Sequence, residues 1–107
     1  MVETNILPPE QCTSMTQVRV GVDAVDAALI AMMQQRYGYM QAAARIKQSR
    51  NEVRDEARKA QVIGNAASMA KEAGLPQDDI AAFWELLVES SIAYEMKHWD
   101  AARVNTK

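Results

Sequence analysis

Residues 14–47 read SMTQVRVGVDAVDAALIAMMQQRYGYMQAAARIK and carry apolar side chains at steps of three and four residues. Steps of this size are typical of one face of an α-helix. The apolar positions are Val18, Val22, Val25, Leu29, Met32, Met33, Met40 and Ala43. Ser14 followed by Gln17 predicts a capping box at the start of this helix. The pattern predicts one helix over roughly residues 16–49, about 50 Å long at 1.5 Å per residue.

Two further helices are predicted downstream. One runs from about Asp55 to Ala73, where Gly74 and then Pro76 give a stop signal. The other begins near residues 77–79 and ends near Arg103. We find no alternating strand pattern, so the predicted fold class is all-α, three helices with a very long first helix. Residues 1–13 predict an extended leader, and residues 14–107 a single helical domain.

Composition excludes several classes of function. The chain has 107 residues and a net charge of −2, so it offers no basic surface for nucleic acid. One cysteine, Cys12, and one histidine, His98, provide neither a disulfide nor metal-ligand spacing, and we expect no metal and no cofactor. No signal peptide or membrane-spanning run is visible, so we expect a cytoplasmic protein without membrane contact.

The length of the first helix bears on assembly. A compact domain of this size has a radius of gyration of only about 13 Å, so one chain cannot cover both ends of a 50 Å helix. The apolar stripe therefore predicts an intertwined homodimer, the commonest symmetric solution.

Two cations interrupt the apolar stripe. Arg36 and Lys47 are eleven residues apart, or about 16 Å along one helix face, and both could converge on one anion. They could equally extend to the rim or pair with acids. Arg19 stands about 25 Å before Arg36 and reaches the same small ligand only from a partner chain; otherwise it is a surface arginine.

The polar residues of the second and third helices each allow two interpretations. Arg58 follows Asp55 and could simply pair with it on the surface of the second helix. Ser91 and Glu95 share a face of the third helix, either as satisfied polar groups or as donors and acceptors for a ligand. No nucleophile and base are paired in the sequence. Fixed cations in an apolar interior therefore favour a rearrangement of a small dianion by positioning and charge stabilisation.

A non-catalytic helical dimerisation module is the alternative of another class. The length of the first helix would be sufficient reason for it. Burying Arg36 and Lys47 without an anion would, however, cost several kcal/mol per charge.

Three segments carry a family resemblance. PEQCTSMTQVRVGVDAVDAALIAMMQQR (9–36), AAARIKQSR (42–50) and VRDEARK (53–59) resemble the helical chorismate mutases, and most closely their isochorismate-pyruvate lyase branch. The resemblance covers about residues 9–103 and includes the ending SSIAYEMKHW (90–99).

The resemblance implies roles for the charged residues. Arg36 and Lys47 would bind one substrate carboxylate and the ether bridge, and Arg19 would be donated by the other protomer. Arg58 would hold the second carboxylate from a mobile segment between the first two helices. Asp55 and Ser91 match positions that contact the ring hydroxyl or lie beside the substrate.

Two positions depart from the family pattern. Glu95 stands where many relatives have a glutamine that donates to the ether oxygen, so Glu95 would need a proton to do the same. Lys59 stands where the bacterial mutases often have an acid, which weakens any inference about the ring hydroxyl. The implied reaction is chorismate to prephenate, or elimination of pyruvate from isochorismate to give salicylate. Both break the same carbon–oxygen bond of a small dicarboxylate, and the sequence does not separate them.

Overall fold

The computed structural model describes residues 6–104, and over that range it contains helices and turns but no β-strand. The three α-helices are α1 (Met15–Ile46), α2 (Glu56–Glu72) and α3 (Gln77–Arg103). Short 3-10 turns occupy Pro9–Gln11 and Arg50–Glu52. The all-α class and the long first helix are confirmed, since α1 extends over 32 residues, or about 48 Å.

The leader is not uniformly extended. Residues 1–5 lie outside the described range. Beyond them, Pro9–Gln11 forms a 3-10 turn in which the Gln11 amide donates to the Pro8 carbonyl at 3.0 Å. Proline suits the first position of such a turn because its φ is already close to the helical value.

The capping box predicted at the start of α1 is present. The Gln17 amide donates to Ser14 Oγ at 3.2 Å, and the Ser14 amide donates to Gln17 Oε1 at 3.2 Å. At the other end, α1 stops at Ile46, three residues before the predicted Ser49. Ser49 is extended and opens a second capping box with Glu52, and a residue in the β region cannot continue a helix.

The connection between α2 and α3 is a tight reversal. Gly74 adopts a positive φ of 73°, its amide donates to the Lys71 carbonyl, and the Leu75 amide donates to the Ala70 carbonyl. These two hydrogen bonds form a Schellman motif, which requires a left-handed residue and so favours glycine. Pro76 then caps α3. The predicted boundaries of both helices are confirmed to within one residue.

The chain divides into two compact units, Met1–Arg36 and Tyr37–Lys107, with the division inside α1. In the second unit α2 packs on α3. Its buried apolar side chains are Ala44, Val53, Ala66, Ala70 and Val88.

The first unit exposes the apolar stripe of α1. Val22, Val25, Leu29 and Met32 are each more than half exposed. Across the described residues, no helix is long and apolar enough to cross a bilayer.

Candidate functional site

A lysine and a glutamate form an ion pair inside the second unit. Lys47 follows the last residue of α1, and its Nζ lies 2.8 Å from Oε2 of Glu95 on α3. The Glu95 side chain is 5% exposed and that of Lys47 is 28% exposed. The carboxylate is therefore buried, while water still reaches part of the ammonium.

The contact lacks the angles of a hydrogen bond. Although Nζ is close, Glu95 Oε2 has no hydrogen-bond partner within residues 6–104. The pair is therefore held by charge attraction, which is strengthened by burial. Native proteins rarely leave a buried polar atom unsatisfied, so this oxygen requires an explanation.

The backbone of Lys47 is also bound to α3. Trp99 Nε1 donates to the Lys47 carbonyl at 3.2 Å, and Arg103 Nη2 donates to the same oxygen at 2.9 Å. Arg103 Nη1 also donates to the Ala44 carbonyl at 3.1 Å, and its guanidinium lies 4.0 Å from the centre of the Trp99 ring. Thus α3 holds Lys47 at its carbonyl as well as at its ammonium.

Ser91 lies one turn before Glu95 and is buried beside it on α3. Its hydroxyl donates to the Leu87 carbonyl at 2.7 Å, the usual bond of a serine within a helix. The predicted placement of Ser91 and Glu95 on one helix face agrees with their joint burial. The hydroxyl proton is used by the helix itself.

Asp55 and Arg58 form a helix cap rather than a side-chain pair. Asp55 is the N-cap of α2, and its Oδ1 accepts a hydrogen bond from the Arg58 backbone amide at 3.0 Å. The Arg58 guanidinium donates to Gln61 Oε1 at 2.7 Å. Arg58 therefore lies in the first turn of α2, on the second helix as the sequence pattern predicts, and not in the segment between the first two helices that the resemblance implies. In residues 6–104 Arg58 makes no ion pair, so its charge is not neutralised by the fold.

The segment between α1 and α2 is tied to α3 by arginines. Arg50 donates from Nε and Nη2 to the two oxygens of Asp100, at 2.8 and 3.2 Å. Arg54 donates to both oxygens of Glu89, at 3.1 and 2.7 Å. Bidentate pairs of this kind define geometry better than single contacts. The segment that was predicted to be mobile therefore has two ionic anchors.

Lys59 completes a surface cluster with Arg54. Its Nζ lies 2.6 Å from Glu89 and 2.8 Å from Glu85. Hydrogen bonds from Arg54 and Lys59 lower the pKa of Glu89 to about 2, and the hydrogen bonds that Lys59 donates to Glu85 and Glu89 raise the pKa of Lys59. The lysine at this position therefore neutralises acids of α3.

Arg19 and Arg36 belong to the first unit. Arg19 is exposed and Arg36 is half-buried on α1. The second unit brings Lys47, Glu95 and Ser91 together, whereas Arg58 lies at the exposed start of α2.

Trp99 and Arg103 were not identified from the sequence as residues that position the site. Their spacing of four residues at the end of α3 indicates contact between the two side chains. Their second contact, with the end of α1, depends on tertiary packing and leaves no local signal.

These observations define a class: a small all-helical protein in which a buried carboxylate on the last helix contacts a partly exposed lysine at the end of the first. The sequence profile of the chorismate mutase type II family matches residues 18–96, and the chain belongs to this family. It is also similar to the isochorismate pyruvate lyase of Pseudomonas aeruginosa, with 27% identity over 95 residues. That match covers 89% of this chain and 94% of the relative. The chain is thus a chorismate mutase-like enzyme.

Proposed function

We propose that the protein rearranges chorismate to prephenate, with Lys47 as the principal catalytic residue. The observation that carries the proposal is the contact of Lys47 with Glu95, a buried carboxylate oxygen without an aligned donor. We infer that a polar substrate takes the place of Glu95 beside the Lys47 ammonium.

The reaction requires little beyond placed charges. In the rearrangement a carbon–oxygen bond breaks while a carbon–carbon bond forms, and negative charge develops on the ether oxygen. The Lys47 ammonium stabilises that charge when the substrate replaces Glu95 as its partner. Holding the substrate in its compact conformation accounts for the rest of the acceleration.

Glu95 adjusts the charge of the site. As a carboxylate it would oppose the charge that develops on the ether oxygen, whereas as a carboxylic acid it donates a hydrogen bond there. A glutamine at this position would supply a permanent donor of similar shape.

Arginines bind the two carboxylates of the substrate in this proposal. Arg58, whose guanidinium has no acid partner among the described residues, binds one carboxylate, and the family resemblance assigns a carboxylate-binding role to Arg36 as well. A guanidinium offers two parallel donors that match a carboxylate. Asp55 and Ser91 lie beside the ring in this arrangement, with Asp55 acting chiefly through the cap that orients Arg58.

We further propose that the active form is a homodimer in which Arg19 is donated in trans. The exposed stripe of Val22, Val25, Leu29 and Met32 supports it, because burial of each such side chain would stabilise association by roughly 1–2 kcal/mol. Mixing tests the assignment. Arg19→Ala and Lys47→Ala homodimers should each be nearly inactive, and a refolded heterodimer should recover one intact site. A verified heterodimer without activity would refute donation in trans.

Elimination of pyruvate from isochorismate is the second candidate. The similarity to the isochorismate pyruvate lyase of Pseudomonas aeruginosa favours it. The same carbon–oxygen bond breaks, and the products are salicylate and pyruvate. Lys47 would stabilise the departing oxygen in either reaction.

One experiment separates the candidates. Purified protein is incubated separately with chorismate and with isochorismate, and prephenate and salicylate are quantified, with Lys47→Ala as the control. Prephenate formation that the control loses supports the mutase, and salicylate formation alone supports the lyase. Turnover of neither substrate by a folded protein would refute both and favour a non-catalytic dimerisation module.

A further inference from the structure

The carbonyl groups at the end of α1 accept hydrogen bonds from side chains of another helix. The last turn of any α-helix leaves carbonyls without partners inside the helix. Here the Ala44 carbonyl accepts from Arg103 Nη1, and the Lys47 carbonyl accepts from both Trp99 Nε1 and Arg103 Nη2. The cap is therefore supplied by the last turns of α3 instead of by the segment that follows α1.

The donors of this cap are themselves held in place. Arg103 Nη1 donates to the Trp99 carbonyl at 3.1 Å, and the guanidinium stacks on the Trp99 ring at 4.0 Å. A guanidinium over an indole gains cation–π attraction. Its positive charge also suits the negative end of the α1 dipole. The two side chains form one unit, which we name the Trp99–Arg103 clamp.

The clamp binds the backbone of Lys47, the residue whose ammonium contacts Glu95. Lys47 lies just beyond Ile46, where a helix end ordinarily frays, yet Glu95 holds its ammonium and the clamp holds its carbonyl. Glu95 is one turn before Trp99 on the same helix. When a substrate takes Lys47 from Glu95, the clamp is the contact with α3 that remains.

We propose that Trp99 and Arg103 are positioning residues that fix the backbone of Lys47, so that its ammonium meets the substrate at a defined point. The inference rests on the proposed function, in which Lys47 stabilises the breaking bond. Misplacement of a catalytic group by about 1 Å can cost up to 100-fold in rate. Loss of the clamp should therefore lower kcat more than it changes KM.

Trp99→Phe is the primary test, because it removes the indole N–H and keeps a ring beneath Arg103. We expect kcat to fall about tenfold with KM changed less than about twofold. Trp84→Phe is the matched control, since Trp84 lies about 22 Å earlier on α3, and it should leave kcat unchanged. Arg103→Gln is a second variant that removes the fork of donors, and it should lower kcat by at least as much.

A double-mutant cycle distinguishes positioning from general weakening of the fold. If the clamp acts through Lys47, Trp99→Phe should change the residual activity of Lys47→Ala less than about twofold. An equal fold loss in both backgrounds would overturn the proposal, and so would wild-type kcat in both Trp99→Phe and Arg103→Gln.

Hydrogen exchange of the free protein tests the clamp without any substrate. Amides of residues 44–48 should exchange at least about fivefold faster in Trp99→Phe, with α2 unchanged. If wild-type protein turns over neither substrate, the proposed function fails, and the clamp is then judged by exchange alone. Unchanged exchange at residues 44–48 would overturn it.

Discussion

Two groups of charged residues in this protein differ in how far hydrogen bonds satisfy their carboxylates. In the surface cluster of Arg54, Lys59, Glu85 and Glu89, hydrogen bonds satisfy the carboxylate of Glu89. In the buried pair, Glu95 contacts one ammonium at 2.8 Å without an aligned hydrogen bond. In the cluster, Glu89 already accepts hydrogen bonds at both oxygens, whereas in the buried pair Glu95 Oε2 can still accept one. Because native proteins rarely leave a buried polar atom unsatisfied, we infer that the buried pair is the better candidate for chemistry, although the cluster contains more charges.

The largest expected effect is the difference between two variants, each of which removes the lysine of one group. Lys47→Ala should lower kcat/KM about 1,000-fold, because a charge-stabilising contact in a shielded site contributes about 4 kcal/mol to the transition state. Lys59→Ala, the matched change in the surface cluster, should lower it less than about threefold. Steady-state kinetics on the substrate that the wild type uses would measure both. Equal losses would remove the distinction between the two groups.

A smaller effect is expected at Arg58, the cation without an acid partner in the described chain. Arg58→Ala should raise KM about 10–100-fold, because the second carboxylate loses a charged donor. Arg45→Ala, an exposed arginine of α1, is the control and should leave KM unchanged.

The ion pairs of residues 48–55 with α3 predict how fast the amides of that segment exchange. Because Arg50 and Arg54 already bind α3, exchange in that segment should be slow before ligand is added. Fast exchange that ligand then suppresses would favour a closing segment over an anchored one.

Replacement of each carboxylate by an amide gives a further comparison. Glu95→Gln keeps the shape of the side chain and supplies an N–H donor, so the variant should remain active, with kcat/KM within about tenfold of the wild type. Glu89→Gln serves as the control and should leave kcat/KM unchanged. Loss of activity in a folded Glu95→Gln protein would show that the reaction requires the carboxyl group itself.

The smallest effect concerns stability in acid. The pKa of Glu89 is lowered to about 2 from an ordinary 4.5, so the folded state favours its ionised form. Its contribution to stability is present above pH 4.5 and is lost as pH falls toward 2. Hydrogen bonds from Arg50 lower the pKa of Asp100 in the same direction. Thermal melts between pH 6 and 2 should show a shallower decline in Tm for Glu89→Gln than for the wild type. Identical slopes would contradict the assignment.

The helix boundaries could be predicted where the signal is local. Ser14 with Gln17, and Gly74 before Pro76, act within a few residues, and both are confirmed. The end of α1 was misplaced because Ser49 and Glu52 form a second capping box, a pattern that the sequence does display.

The partners of the charged residues could be predicted less well. Lys47 and Glu95 were identified as site candidates, but their contact joins α1 to α3. The Arg54–Glu89 and Arg50–Asp100 pairs likewise depend on how the helices are rotated against each other. One interpretation of Asp55 was a pair with the Arg58 side chain, but its carboxylate accepts from the Arg58 backbone amide, because the N-cap position competes for the same oxygen.

The Schellman turn at Gly74 has a consequence for the order of folding. Because it reverses the chain within a few residues, α2 and α3 meet through contacts of short sequence separation, which form fast. The apolar stripe in the first half of α1 is instead more than half exposed at Val22, Val25, Leu29 and Met32. Refolding should therefore begin with a hairpin of α2 and α3 at a rate independent of protein concentration. If the stripe is buried against a second copy, that burial follows as a slower phase whose rate increases with concentration.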